Sequence, residues 1–273
     1  MLPYFELRVI ALPGGIQLAV FGTLVALGVF TGVWFAEQRA RAVGLPARTL
    51  HGAIGWALVP GFALAHFVAL LPHAGRPGVL GLASLLQFWN GMSSFGGIAG
   101  ALLGLWLRFR REPATLLTVA EVLAPAFVVG WIFGRLGCTL VHDHVGRLSD
   151  FPLALQFPGG ARHDLGLYEL LYTLVVLLPA AILLVRRPRP PGTILAWLAL
   201  LYAPARLLGD FLRNTDLSNA DVRYAGLTLA QYCCIALAGV GIWFAARLRR
   251  GGPPPPAGRT MSQKRRSAPA LTS

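Results

Sequence analysis

LTVAEVLAPAFVVGWIFGRL, residues 117–136, is a long apolar run that ends on an arginine. A helix crossing the hydrocarbon core of a bilayer needs about 20 mostly apolar residues, and this stretch supplies them. Further apolar runs lie near 16–36, 50–71, 93–107, 167–185, 193–212 and 226–246. The pattern predicts an all-α, polytopic membrane protein of about seven transmembrane helices. Residues 1–250 form the membrane domain. Residues 251–273 are a Pro-rich and basic tail, expected to be disordered and cytoplasmic.

Composition supports the same class. Hydrophobic residues make up 55% of the 273 residues and charged residues 13%. A soluble domain carries about 25% charge and has no core large enough to bury this much apolar surface. The net charge is +13, but the basic residues sit in short clusters between apolar runs. They form no basic face, so nucleic acid is not expected as a partner.

The clusters instead report orientation. Arg39, Arg41 and Arg48 separate the first two runs, Arg108, Arg110 and Arg111 the third and fourth, and Arg186, Arg187 and Arg189 the fifth and sixth. Arg247, Arg249, Arg250, Arg259, Lys264, Arg265 and Arg266 follow the last. Cytoplasmic loops collect Arg and Lys, so the N-terminus is expected outside and the C-terminus in the cytoplasm. The first residues lack a basic region before the apolar run, so that run is expected to be kept as a helix.

Small and polar residues within the runs have two readings each. Gly96, Gly97, Gly100 and Gly104 either let two helices approach closely or open backbone to a ligand. Cys138, Cys233 and Cys234 form no CxxC pair and have no metal-ligand spacing with histidine, so no metal site is expected. Cys138 beside Arg135 reads as a small buried hydrophobe or as a reactive thiol. His51 and His66 read as polar contacts between helices.

The outward segments mix charges in a way that orientation does not explain. Residues 135–169 hold Arg135, His142, Asp143, His144, Arg147, Asp150, Arg162, His163, Asp164 and Glu169; residues 206–223 hold Arg206, Asp210, Arg213, Asp216, Asp221 and Arg223. A charge at the centre of a membrane helix costs about 2.5–3.5 kcal/mol on insertion scales, so it has a partner or a task. Arg206 and Asp210 in LLYAPARLLGDFLR share one helix face and read as a structural ion pair. The functional reading brings Arg135 and Arg206 together on an anionic headgroup. A planar guanidinium donates two parallel hydrogen bonds to phosphate and stays charged. Pro204 frees a backbone carbonyl near Arg206.

WNGMSSFGG (89–97), GRLGCTLVHDHVGR (134–147), LYELLYTLVVLL (167–178) and RPRPPGTILAWLALLYAPARLLGDFLRNTD (187–216), in that order, resemble the prolipoprotein diacylglyceryl transferase family. The resemblance covers roughly residues 16–248. It implies transfer of the diacylglyceryl group of phosphatidylglycerol to the lipobox cysteine thiol of a preprotein, in the bacterial inner membrane, without a cofactor. It places Arg135 and Arg206 at the two essential arginines, with Gly146, Arg147, Tyr202, Asp210, Tyr168, Glu169, His163, Gly96 and Gly97 on the substrates. Asp143 and Asp210 stand where the family has glutamates, and Gln231 matches a glutamine of the last helix. Phe95, Cys138 and Phe21 stand where the family has histidine, asparagine and tyrosine. His142 or His144, beside Asp143, is the candidate base for the thiol proton; the other reading makes both solvated loop residues. The alternative function is a relative that binds phospholipid or prolipoprotein without transfer, or modifies another acceptor.

Overall fold

The computed structural model describes residues 1–15, 17–70, 92–217 and 220–250. The described residues hold the seven expected helices: α1 (Val20–Val43), α2 (Ala47–Leu70), α3 (Ser94–Phe109), α4 (Pro113–Val141), α5 (Leu165–Val185), α6 (Thr193–Gly209) and α7 (Leu229–Arg250). All but α3 are long and apolar enough to cross a membrane. Their outward faces expose large apolar side chains such as Phe30, Val59, Val175 and Ile242, as a lipid solvent requires. The start of the WNGMSSFGG segment and the tail from Gly251 lie outside the described residues.

Helix α4 is the centre of the bundle. Three apolar clusters each include it: Val128 with α5 and α6, Val122 and Ala126 with α1 and α2, and Val119 with α2 and α3. Close approach between helices depends on glycine. Gly28 of α1 and Gly130 of α4 face one another, and a Cβ on Gly130 would stand 2.7 Å from the Gly28 carbonyl oxygen.

The α2–α3 pair is closer still, and this decides between the two readings of the glycines. Gly96, Gly100 and Gly104 recur every four residues, so they line one face of α3. They rest on the Leu64, Pro60 and Trp56 carbonyls of α2. Pro60 lacks an N–H, which leaves the Trp56 carbonyl without its helical donor. Gly104 packs against that oxygen. Gly97 lies beside Ala65 and Gly61 of the same helix. Gly96, Gly100 and Gly104 are helix contacts, so the expectation that Gly96 offers backbone to substrate is corrected, while Gly97 is half-buried at the edge of the contact.

The arginine-rich connections gather at one end. There Arg39 of α1 donates to the Val185 carbonyl of α5 at 3.1 Å. Glu121 of α4 accepts from the N–H groups of Ile194 and Leu195 at 2.9 and 3.1 Å. It caps α6, whose own N-cap is a glycine with φ 95°; a carboxylate there satisfies free donors and the helix dipole.

The other end carries small sheets that the helical patterning does not foretell. β1 (Val9–Ala11) pairs with β2 (Gln17–Ala19) just before α1. β3 (Val145–Leu148), β5 (Gly160–Asp164) and β4 (Leu155–Phe157) form an antiparallel sheet between α4 and α5. β6 (Arg223–Tyr224) and β7 (Leu227–Thr228) form a hairpin before α7. Short strands built from mixed polar and apolar residues give a weak alternation signal, which is why the sequence reads these segments as loops.

Gly104→Ala is expected to destabilise the protein by about 1–3 kcal/mol through overpacking against the Trp56 carbonyl. Gly55→Ala, whose Cβ meets nothing within 4 Å among the described residues, should stay within about 0.5 kcal/mol. Unfolding in detergent micelles measures both.

Candidate active site

Arg135 lies near the last turns of α4, Arg206 near the end of α6, and Glu169 in the second turn of α5. All three are largely removed from solvent, with side-chain exposures of 5%, 7% and 14%. One carboxylate joins both cations. Glu169 Oε2 is 2.7 Å from Arg135 Nε, and its Oε1 is 2.6 Å from Arg206 Nε. The two arginines therefore converge, as the sequence predicts, but through Glu169. Among the described residues, neither Glu169 oxygen nor Arg135 Nε has an aligned hydrogen bond. Charge contact holds the group together and leaves hydrogen-bonding capacity unused.

The structural ion pair read from the helical spacing is present as well. Arg206 donates from Nη1 to Asp210 Oδ1 at 2.7 Å. Asp210 is fully buried and takes a second hydrogen bond from the Thr228 hydroxyl. Gln231 accepts from the Thr228 N–H at 2.9 Å and donates to the Leu207 carbonyl at 3.3 Å. Arg135 lies over the Trp131 ring at 4.3 Å, a favourable seat for a guanidinium. Arg213 also reaches Asp210 at 3.8 Å but is paired with Asp221 at 2.5 Å, so three cations and three carboxylates sum to zero, which lowers the cost of burying this much charge.

A cavity of about 230 Å³ opens between α5 and α6 beside this group. Tyr168, Glu169, Tyr172, Tyr202, Arg206 and Gly209 line it. Its walls are mostly aromatic and apolar, with Arg206 and Glu169 as the charged floor. Tyr172 donates to the Leu201 carbonyl at 2.7 Å, the turn where Pro204 interrupts α6.

The chain between α4 and α5 closes over this end. His142 ends α4 in the left-handed region with φ 51°. Its ring is buried against Tyr4, Phe5 and Phe157. Nδ1 contacts Asp164 Oδ2 at 2.5 Å, and Nε2 contacts the Phe5 carbonyl. Both nitrogens are thus engaged, and the expectations of a solvated His142 or of a base facing Arg135 are corrected. Asp164 also accepts from the Leu167 N–H at 2.8 Å and so caps α5. Burial raises its pKa above the usual carboxylate value.

His144 is placed differently from His142. It contacts Asp143 at 2.7 Å, and the Asp143 carboxylate lies within 4.8 Å of the Cys138 sulfur. Cys138 in turn lies 3.8 Å from Arg135 Nη1. Burial is the largest single influence and pushes the Asp143 pKa up, but His144, Cys138 and Arg135 together outweigh it and the net shift is downward. The sequence offers no metal-ligand spacing, yet the turn at His142 folds the chain back over α4. Ligand atoms of Cys138, Asp143 and His144 then fall within 4.8 Å of one another.

Gly146 is a packing position. A Cβ there would meet the His163 side chain and the Leu212 carbonyl at 2.7 Å. Its own carbonyl accepts from Arg162 at 3.2 Å. Arg162 also grips Asp216 through two hydrogen bonds of 3.1 and 2.5 Å, and Asn214 donates to the Val145 carbonyl at 2.7 Å. These bonds latch the segment after α6 onto the β3–β5 sheet. Arg147 is exposed on β3. His163 contacts the Tyr168 hydroxyl at 2.8 Å. Phe21 packs on Gly137, so that aromatic ring fills space beside the arginine helix.

Sequence reasoning placed Glu169 among substrate contacts and missed its part as the bridge. Asp164 had a usable signal, an aspartate directly before an apolar run. Trp131 had none beyond its place one turn before Arg135. Thr228 had none either.

These features define a polytopic membrane protein with a buried, charge-neutral pair of arginines beside an amphipathic cavity at one end of its bundle. Residues 8–247 match the family described as prolipoprotein diacylglyceryl transferase, and this chain belongs to that family. A phosphatidylglycerol–prolipoprotein diacylglyceryl transferase of Nitratidesulfovibrio vulgaris, strain Miyazaki F, is 32% identical over 95% of this chain and 100% of its own length. The protein of that name from Chromohalobacter salexigens is 28% identical over 92% of this chain and 96% of its own length. The one from Pseudomonas aeruginosa, strain LESB58, is 26% identical over 93% and 99%.

Glu169→Gln strips both arginines of a shared counter-ion and is expected to cost about 3–5 kcal/mol, the range for breaking a buried ion pair on one side; unfolding in micelles reads it. A second expectation concerns acid. Burial, then the Arg147 charge, lowers the His163 pKa. The folded state resists its protonation while the unfolded chain titrates near 6.5. His163 thus stabilises the fold fully above about pH 6.5, and that contribution is lost as pH falls below it. The unfolding midpoint should drop between about pH 7.5 and 5.5, and less so in His163→Asn. An equal drop in both proteins contradicts this.

Proposed function

We propose that this chain transfers the diacylglyceryl group of phosphatidylglycerol to the lipobox cysteine of prolipoproteins, from the outer face of a bacterial inner membrane. The observation that carries this reading is the convergence of Arg135 and Arg206 on Glu169 beside an aromatic-lined cavity. Family membership supports the same activity. The basic connections at the opposite end support an external N-terminus and site. Residues 1–250 act as the membrane domain, with the basic tail in the cytoplasm.

The reaction breaks the bond between the glyceryl carbon and a phosphate oxygen. The acceptor sulfur attacks that carbon, the thioether forms, and glycerol phosphate leaves with the electron pair. Negative charge therefore grows on the phosphate, and Arg135 and Arg206 are the groups to receive it. The low dielectric of the buried site strengthens that contact. Glu169 already holds the guanidiniums in place, so little reorganisation accompanies the reaction. Tyr168 and Tyr202 line the approach to Arg206.

The acceptor thiol, with an ordinary pKa of ~8.5, must lose a proton. Asp143 orients His144, and the pair adjoins Arg135 through Cys138. We assign proton acceptance to His144. The intact arginine–carboxylate group favours transfer over the alternative of a relative that only binds lipid or prolipoprotein.

The test uses purified protein, phosphatidylglycerol vesicles and a lipobox peptide. A diacylglyceryl mass gain on the peptide cysteine is expected, and none with phosphatidylcholine vesicles. Arg135→Ala and Arg206→Ala should each slow transfer by about 10²–10³, the loss typical of one donor to a developing anion. No gain beside an active relative contradicts the activity; full activity in either variant contradicts the site.

A further inference from the structure

We propose that Cys138, Asp143 and His144 form a binding site for a thiophilic divalent cation of the zinc class, and that the bound ion restrains the transferase. The second half rests on the function proposed above; the first does not.

The three side chains supply thiolate, carboxylate and imidazole, the donor set that zinc takes. Their ligand atoms all lie within 4.8 Å of one another. A tetrahedral zinc site with bonds of about 2.0–2.3 Å sets its ligand atoms roughly 3.3–3.8 Å apart. The site therefore closes by about 1 Å around an ion. The movable members are on the right side for this. Cys138 is fixed in α4 and buried, while Asp143 and His144 follow the helix and keep side-chain exposures of 39% and 19%. That exposure also provides an entry path and room for a water as fourth ligand.

Charge balance favours occupancy despite the nearby cation. Arg135 Nη1 lies 3.8 Å from the sulfur, so the ion would displace that contact as it takes the sulfur. Binding releases the Cys138 proton to solvent. One thiolate and one carboxylate then cancel the two charges of the ion, and Glu169 already offsets Arg135. His144 gives up its contact with Asp143 to bind the metal. Both groups assigned to the acceptor proton are thereby removed from that task, and transfer slows.

The experiment titrates cobalt(II) into the full-length protein, free of affinity tag, in detergent micelles. A thiolate-to-cobalt charge-transfer band with tetrahedral d–d absorption is expected in the near-ultraviolet and visible. Cys138→Ser should lose the charge-transfer band. His144→Ala, altered on the exposed turn, should bind cobalt at least about tenfold more weakly, by comparison with the loss seen for merely outer partners. Absence of the band at saturating cobalt would overturn the site, as would undiminished affinity in His144→Ala. An undiminished band in Cys138→Ser would assign the thiolate to Cys233 or Cys234 and overturn it equally. Zinc should slow thioether formation by the unaltered protein, with recovery on chelation. Spectral binding without slowing would overturn the restraint. Failure of metal-free protein to transfer at all would count against the proposed function and leave the spectral result standing.

Discussion

A single carboxylate, Glu169, stands between two buried guanidiniums, and the organisation of this end of the molecule follows from it. Arg135 and Arg206 come from helices separated by an extramembrane sheet and a further helix. Without an anion between them they would repel at close range in a medium of low dielectric. Glu169 contacts each through a different oxygen. Asp210, anchored by Thr228, completes the balance on the Arg206 side. The result is charge held in place before any substrate arrives.

The bundle is arranged to deliver these groups. α4 carries Arg135 from the middle of the molecule because glycine contacts bring α1 against it and its apolar face is shared among the three clusters. α5 has a π-helical turn, Thr173–Leu177, one turn after Glu169. Such turns are frequent at functional sites because they rotate the side chains that precede them. Pro179 lacks the N–H that would continue regular bonding to the preceding turn. The sheet at β3–β5 and the bonds from Arg162 and Asn214 then fasten the segment after α6 across the same end.

The membrane helices were legible because period and length carry the signal: a run of about twenty apolar residues fits a bilayer span and little else. The α2–α3 glycines were legible as a spacing, but only the Pro60-interrupted helix opposite them decided that they serve packing. Arg135, Arg206 and Asp210 were legible as charges in apolar surroundings. Glu169 was legible only by resemblance, since one acid at the start of an apolar run looks like an interfacial residue. The histidines were the hardest. His142 and His144 are two residues apart beside one aspartate, and nothing in the sequence says that a left-handed turn buries the first ring and turns the second toward Cys138. That outcome depends on partners far along the chain, Phe5 and Asp164.

The most direct measurement is a double-mutant cycle on unfolding free energy with Arg135→Gln, Arg206→Gln and the double variant. Each single change leaves Glu169 one cation; the double change strands it. The double variant should therefore lose more stability than the two single losses combined, by about 0.5–3 kcal/mol. Losses that add within about 0.3–0.5 kcal/mol would mean that the arginines do not share that carboxylate, and would contradict the central role given to Glu169.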